Sequence, residues 1–393
     1  MLLLHVALGL SAVLAAQIGE RNITLAPLLE RAGDPDAIPN QYIVAFRDNV
    51  SPAVRNKIIK SLPKGAEDVY EEVVNGFSAT LDSKTVASLR SNPNVEYIEN
   101  DSVATADAPI PKRVQNNAPW GLARISLRRK GNKNYRYDSS AGAGTCTYVI
   151  DTGIDASHRD FEGRAKQIKS FVKGQTTDGN GHGTHIAGTI GGRVYGVAKK
   201  TKLFGIKVLN NKGSTTTAHV IAAFDFVSRD SKKRSCPKGV IVNISITGSY
   251  SRTENRAASA LARRRIFIAA SAGNRNRDAS GSSPASEPWV CTVGSTDSND
   301  VRASSSNYGK SVSIFAPGVK ITSTLPGGKI GVLSGTSMAS AHVAGLAAYL
   351  GALEGYRGHQ LCNRMRMLAS QNILRGIPAN TPNKLIFSGI KPR

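Results

Sequence analysis

Apolar residues follow three different spacings along the 393-residue chain. Leu2 to Ala16 is almost wholly apolar, too short to cross a bilayer comfortably, and ends in small residues. That pattern predicts a secretory signal peptide over residues 1–16, although no Lys or Arg precedes its apolar run. No later segment is long and apolar enough to predict a membrane span. The second spacing is alternation. Tyr42–Phe46, Gly76–Leu81 and Val95–Glu99 alternate as strands do, and Val54–Leu62 and Lys84–Leu89 carry helical amphipathic periodicity between them. A small α+β unit over residues 17–112 is expected. The third spacing is continuous. Thr147–Ile150 and Val240–Ile246 are β-prone runs of the kind buried on both faces, and Met338–Leu350 is a long run of Ala, Leu and Val that predicts a buried helix.

Chemistry-bearing residues sit at the edges of those continuous runs. Asp151 follows the strand run Thr147–Ile150, with Gly153 free to turn the chain behind it. His182, between Gly181 and Gly183, opens an Ala/Gly-rich stretch that predicts a helix packed closely on a sheet. Ser337 stands just before the helical run from Met338, where the helix N-terminus favours negative charge. A serine hydroxyl needs an imidazole to take its proton, and the imidazole needs a carboxylate to fix its tautomer. Each piece alone has a plain structural reading: a turn carboxylate, a structural histidine, an N-cap serine. Together, on a strand end and two helix starts, Asp151, His182 and Ser337 predict nucleophilic catalysis.

The three segments Val149–Ile154, Asn180–His185 and Ser334–Ala339 resemble those of the subtilisin-like serine proteases, and within them the fungal proteinase K group. The likeness runs from Asn117–Ile125 to the C-terminus, with Tyr195–Lys200 and Cys236–Val240 matching closely. It implies an α/β fold, a parallel sheet with helices on both faces, and peptide-bond hydrolysis through an acyl-enzyme. Asn274 matches the family's oxyanion-hole asparagine, and Gly213, Ser214, Thr215, Ser245, Ile246, Thr247, Ser271, Ala272 and Gly273 match its substrate cleft. The amino-terminal unit resembles the inhibitor-type propeptide of these enzymes, an intramolecular chaperone and inhibitor. The expected organisation is a signal peptide (1–16), a propeptide (17–112) and a peptidase domain (113–393), cut near Lys112–Arg113 within the junction Asp107–Arg113.

Charge divides at that junction. Residues 1–111 hold 9 basic and 14 acidic side chains, a net of −5, and the remainder holds 42 and 14, a net of +28. Basic clusters occur at Arg128–Lys130, Lys232–Arg234 and Arg263–Arg265. Aromatic residues make up only 6% and do not interleave with them, so no stacking platform for nucleic acid is predicted. Solvated basic faces, suited to acidic polymers or alkaline conditions, are the expectation. Four cysteines, Cys146, Cys236, Cys291 and Cys362, point to two disulfides in a secreted protein. Three pairings are open, and the resemblance implies Cys146 with Cys236 and Cys291 with Cys362. Sequons at Asn22, Asn49 and Asn100 are expected glycosylation sites, whereas the one at Asn243 lies in a buried run.

Several positions depart from the family pattern. Thr247 and Thr215 stand where relatives carry glycine, so a narrowed cleft and an ordinary one with the threonines turned away are both open. The family's tight calcium site uses carbonyls near Pro288 and Val290 plus an aspartate, whose position holds Ser313. The second site's threonine position holds Arg128. No cofactor and no strong calcium site of the proteinase K type are therefore expected. The expected function is a secreted, monomeric serine endopeptidase acting on proteins or peptides. It is made as an autoprocessed zymogen inhibited by its own propeptide, with no membrane or specific nucleic-acid partner. The alternative is a protease-like binding protein with an intact triad and an obstructed cleft.

Overall fold

The structure is a computed structural model that describes residues 24–30, 37–71, 74–102, 112–131 and 133–390. Residues 1–16, expected as a signal peptide, Asn22 and most of the Asp107–Arg113 junction lie outside the described residues. The chain divides into two compact units, Met1–Ala108 and Pro109–Arg393.

The first unit comprises β1 (Leu28–Leu29), β2 (Ala37–Phe46), α1 (Pro52–Lys60), β3 (Asp68–Tyr70), β4 (Gly76–Thr80), α2 (Ser83–Arg90) and β5 (Val95–Ser102). Its sheet has the order β1-β5-β2-β4-β3. Alternation sends Val44, Phe46, Phe77 and Ile98 into one core with Val86 and Leu89 of α2. Ser51 caps α1 by accepting from Val54 N, and Asp82 caps α2 by accepting from Thr85 N at 2.7 Å. Asn49 is exposed in a turn, and Asn100 is half-buried in β5 opposite Tyr42.

The second unit runs through β6 (Lys112–Gln115), α3 (Trp120–Ser126), β7 (Tyr135–Asp138), β8 (Cys146–Asp151), β9 (Ala165–Ser170), α4 (His182–Gly191), β10 (Lys202–Lys207) and α5 (Thr217–Asp230). It continues with β11 (Val240–Ile244), β12 (Gly248–Ser249), α6 (Arg252–Ala262), β13 (Phe267–Ser271), β14 (Ser282–Ser283), β15 (Cys291–Thr296) and β16 (Ile314–Pro317). It ends with β17 (Ile321–Leu325), β18 (Lys329–Leu333), α7 (Thr336–Glu354), α8 (Gln360–Leu368), β19 (Ser370–Gln371) and β20 (Lys384–Leu385). The main sheet has the order β19-β20-β16-β15-β13-β11-β8-β10-β9 and is parallel except for the β19/β20 pair.

Period-two alternation within the continuous apolar runs sorts them to two faces. Val149, Leu203, Ile241, Phe267 and Val293 join the core containing α4 and α7, while Tyr148, Ile150, Ile206, Val242 and Ile268 join the one containing α5 and α6. This is a parallel sheet with helices on both faces, as the family resemblance implied. Helix α7 is buried on every side from Thr336 to Ala352 and ends at Gly355. Disulfides join Cys146 to Cys236 and Cys291 to Cys362. The Lys112–Arg113 bond, at the end of the junction expected to be cut, lies at the first rung of a two-stranded ribbon, with Lys112 opposite Asp138 and Arg113 opposite Tyr137.

Candidate active site

Asp151 is the last residue of β8, and the adjacent chain holds it there: Val208 N and Leu209 N donate to its carbonyl at 2.9 and 3.2 Å. Its side chain is fully buried. Oδ1 accepts from Thr152 N at 2.7 Å and pairs with His182 Nδ1 at 2.7 Å. Because a carboxylate can only accept, Nδ1 carries the proton and Nε2 is left bare to accept another. Burial opposes charge on His182, but the Asp151 carboxylate and its hydrogen bond outweigh burial and raise the pKa above 6.5.

His182 is the first residue of α4, and a second buried carboxylate fixes that helix start. Asp178 Oδ1 accepts from Thr152 Oγ1 (2.8 Å), Gly181 N (2.8 Å) and Asn180 N (3.1 Å), while Oδ2 accepts from Thr184 N (2.9 Å) and Thr184 Oγ1 (2.6 Å). Gly183 N donates to Thr152 Oγ1 at 2.9 Å. A Cβ on Gly183 would stand 2.1 Å from the Gly153 carbonyl, so only glycine lets the helix dock this closely on the turn after Asp151. Sequence reasoning missed Asp178; its signal was a carboxylate four residues before the histidine.

Ser337 occupies the first turn of α7 and is 8% exposed. Its Oγ donates to Ser245 O at 3.3 Å, and no hydrogen bond to His182 Nε2 occurs among the described residues. Such bonds are often long without substrate and tighten when it binds. Helices α4 and α7 pack side by side, and His185, one turn beyond His182, feels the nearby His342, five residues beyond Ser337. Asn274 lies against the α7 start. Its Oδ1 accepts from Thr336 N (2.9 Å) and Thr336 Oγ1 (3.0 Å), which turns Nδ2 the other way. A Cβ on Gly335, whose φ is 153°, would stand 3.2 Å from that Nδ2. With Met338 N bonded to Gly335 O, Ser337 N–H has no acceptor among the described residues and remains a free first-turn donor. Thr336, which aims Asn274, was not anticipated either.

The cleft residues fall into two groups. Ser245–Thr247 follows β11 and Ser271–Gly273 ends β13, so a crevice opens between neighbouring strand ends. Ser245 Oγ bonds Ser340 Oγ (3.0 Å) and Ser337 O (3.2 Å), Ile246 is half-buried, and Ala272 N bonds Val293 O at 2.9 Å. Thr247 Oγ1 spans the crevice to Ser271 Oγ (3.0 Å) and Ser271 O (3.2 Å), and its methyl lies 3.0 Å from where a Gly273 Cβ would be. Gly213, Ser214 and Thr215, expected as an edge strand, form a turn closed by Gly213 N to Asn210 O and Asn210 N to Ser214 O, both at 2.9 Å. Neither Ser245–Thr247 nor Gly213–Thr215 has a ladder partner among the described residues. Thr215 Oγ1 bonds Val208 O at 2.7 Å, which ties that hydroxyl to its own loop.

The second unit matches a known family over most of its length. The model of the subtilase family, peptidase S8, matches residues 142–380. The chain belongs to the subtilase family. The model described as peptidase inhibitor I9 matches residues 41–107. The chain is 50% identical to alkaline serine protease ver112 of Corniculantispora psalliotae, covering 98% of each. It is 49% identical to the cuticle-degrading protease of Metarhizium anisopliae, covering 97% of each, and 48% identical to proteinase R of Parengyodontium album, covering 92% of each. A crystal structure of a cold-adapted subtilisin-like serine proteinase is similar at a TM-score of 0.66 and 40% identity, covering 70% of this chain and all of that one. This subtilase is a serine endopeptidase, a hydrolase that forms an acyl-enzyme and is made as an autoprocessed zymogen with an I9 propeptide. It needs no catalytic cofactor. Nothing found favours the binding-protein alternative. No helix among the described residues is long and apolar enough to cross a membrane.

Proposed function

We propose that Asp151, His182 and Ser337 are the catalytic triad, with Asn274 and the Ser337 amide as the oxyanion hole. The observation that carries this reading is the buried 2.7 Å pair between Asp151 Oδ1 and His182 Nδ1, which leaves Nε2 as the only basic nitrogen on the ring. His182 Nε2 takes the Ser337 Oγ proton as the oxygen attacks the scissile carbonyl carbon. The resulting oxyanion accepts from Asn274 Nδ2, which Thr336 orients before substrate arrives, and from Ser337 N–H. His182 then passes the proton to the departing amine, and water, deprotonated by the same nitrogen, releases the acyl group. The crevice between Ser245–Thr247 and Ser271–Gly273, with the Gly213–Thr215 turn, holds the peptide as an added strand.

The mature enzyme (113–393) is secreted as a monomer after loss of residues 1–16 and 17–112. Asn22, Asn49 and Asn100 carry any N-linked glycan on the propeptide. Neither calcium position suits a cation. Ser313 Oγ, in place of a carboxylate, is occupied by Thr292 N at 3.2 Å, and the Arg128 guanidinium donates to Leu368 O (2.9 Å), Ala369 O (3.2 Å) and Ser370 Oγ (3.2 Å). The test is Ser337→Ala in a protease-deficient host. A precursor of full length that persists, and that a fluorophosphonate no longer labels, is expected; equal maturation of that variant refutes the assignment.

A further inference from the structure

Two of the basic clusters meet in space. A concavity of about 400 Å³ is lined by Arg164, Lys166, Lys202, Lys233 and Arg234, and a second of about 520 Å³ by Lys232, Arg264, Arg265 and Arg357. They flank one segment, Ser231–Cys236, whose residues line both. No carboxylate lines either concavity. The acidic neighbours are Asp230, which pairs with Arg234, and Glu162 and Asp160, both of which act on Arg164. Nine cations therefore face three carboxylates among the described residues. Several are pinned by neutral acceptors that leave their charge intact: Arg264 by Ser228 Oγ (2.6 Å), Arg357 by Pro237 O (2.6 Å) and Lys202 by Ser235 O (3.4 Å).

Lys202 begins β10 and Lys166 is the second residue of β9, while Val240 and Ile266 mark the starts of β11 and β13. The belt thus lies at the amino ends of the parallel strands, and Asp151, opposite Lys207, lies at their carboxyl ends. Five strand steps separate Lys202 from Lys207, about 16 Å. We propose that this belt is an exosite for a linear polyanion, an acidic polysaccharide carrying sulfate or carboxylate groups, which tethers the enzyme while the catalytic cleft stays open. Two open concavities side by side fit a chain crossing both. The aromatic rings favour a polysaccharide over a nucleic acid. Phe204, which lines the first concavity, is 6% exposed and covered by the Arg234 guanidinium at 4.1 Å, so it offers no face to a base. Trp289, though exposed, already meets Arg263 and His359.

The test compares the full chain with two fourfold variants of equal charge change. One carries Lys166→Gln, Lys202→Gln, Lys232→Gln and Lys233→Gln, and the other Arg129→Gln, Lys130→Gln, Lys310→Gln and Lys329→Gln. The probes are dextran sulfate and a single-stranded polynucleotide of matched charge density. The belt variant should bind dextran sulfate more than about tenfold more weakly at physiological salt. Its slope of log K against log salt should fall by about 3, as expected when four counterion-releasing contacts are lost. The control variant should change less than about threefold. Unchanged hydrolysis of a small peptide by both variants establishes that they are folded. Equal losses in the two variants would overturn the exosite in favour of diffuse charge, and tighter binding of the polynucleotide, abolished by the belt variant, would overturn the polysaccharide in favour of nucleic acid.

Discussion

Acid should destabilise this enzyme through two histidines that take no part in catalysis, and the size of the effect follows from their surroundings. His185 is fully buried, with Nε2 at 2.9 Å from Ile321 O. A carbonyl only accepts, so Nε2 carries the proton and Nδ1 is bare, buried and without a hydrogen-bond partner among the described residues. Protonating Nδ1 would bury a charge with no acceptor, and burial pushes the pKa down from 6.5 to about 4. His342, 1% exposed, is likewise lowered by burial to about 4. The unfolded chain binds these protons first as pH falls, so stability drops between pH 6.5 and 4. Each histidine removes about 2 kcal/mol by pH 5 and about 3 kcal/mol in full. His182 has the opposite sign: its raised pKa gives stability that is complete below pH 6.5 and lost as pH rises through the folded value, so it adds nothing to the acid slope. The assay is urea unfolding at pH 6.5 and pH 5, in a Ser337→Ala background to prevent self-digestion. His185→Gln, which can still donate to Ile321 O, should shrink the difference between the two pH values by about 2 kcal/mol. An unchanged difference would refute the argument, whatever the variant does to stability at pH 6.5.

Asn274→Ala should lower kcat by about 10² to 10³ with little change in KM, read on a soluble peptide, the loss known for the oxyanion-hole asparagine of subtilisin, whose role is proposed for Asn274. An equal fall in folding stability and a normal kcat would transfer Asn274 to a structural role. Thr247→Gly should raise kcat/KM for peptides with large side chains before the scissile bond, since it removes the bridge to Ser271, at a cost of about 0.5–1 kcal/mol in stability. Thr215→Gly should change little because its hydroxyl faces Val208 O; the reverse order across a peptide library would contradict this division. Chelation by EDTA should shift Tm by only a few degrees, because a site that binds no metal contributes no ligand linkage. A fall of about ten degrees would reveal a calcium site outside Ser313 and Arg128.

The strands of the first unit were legible because alternation is local: Tyr42–Phe46, Gly76–Leu81 and Val95–Glu99 fall within or one residue beyond β2, β4 and β5. The placement of Asp151 at a strand end and of His182 and Ser337 at helix starts was legible because glycine and small residues mark such places. What escaped was whatever depends on partners far along the chain. Asp178 supports the His182 helix through Thr152, 26 residues away, and Thr336 aims Asn274 from a distance of 62 residues. A continuous run such as Thr147–Ile150 carries no sign of which face each residue takes until register with β10 and β11 sorts it. The segment Gly213–Thr215 was expected as an edge strand because the family resemblance implies one there, yet Gly213, with φ of 80°, closes a turn.

Helix α7 places Ser337, the proposed nucleophile, at one end of a shaft that is enclosed by protein over seventeen residues, Thr336 to Ala352. A protease is surrounded by copies of itself, and any segment that opens locally becomes substrate. Loops such as Gly213–Thr215 open at little cost, but the segment bearing Ser337 cannot reach another molecule's cleft without dismantling the core that α4 and α7 share, so its amides should exchange with solvent only through global unfolding. The lifetime of the enzyme in its own company is then governed by the rate of that global opening, and wear at the periphery can nick the molecule while the reacting hydroxyl stays in place.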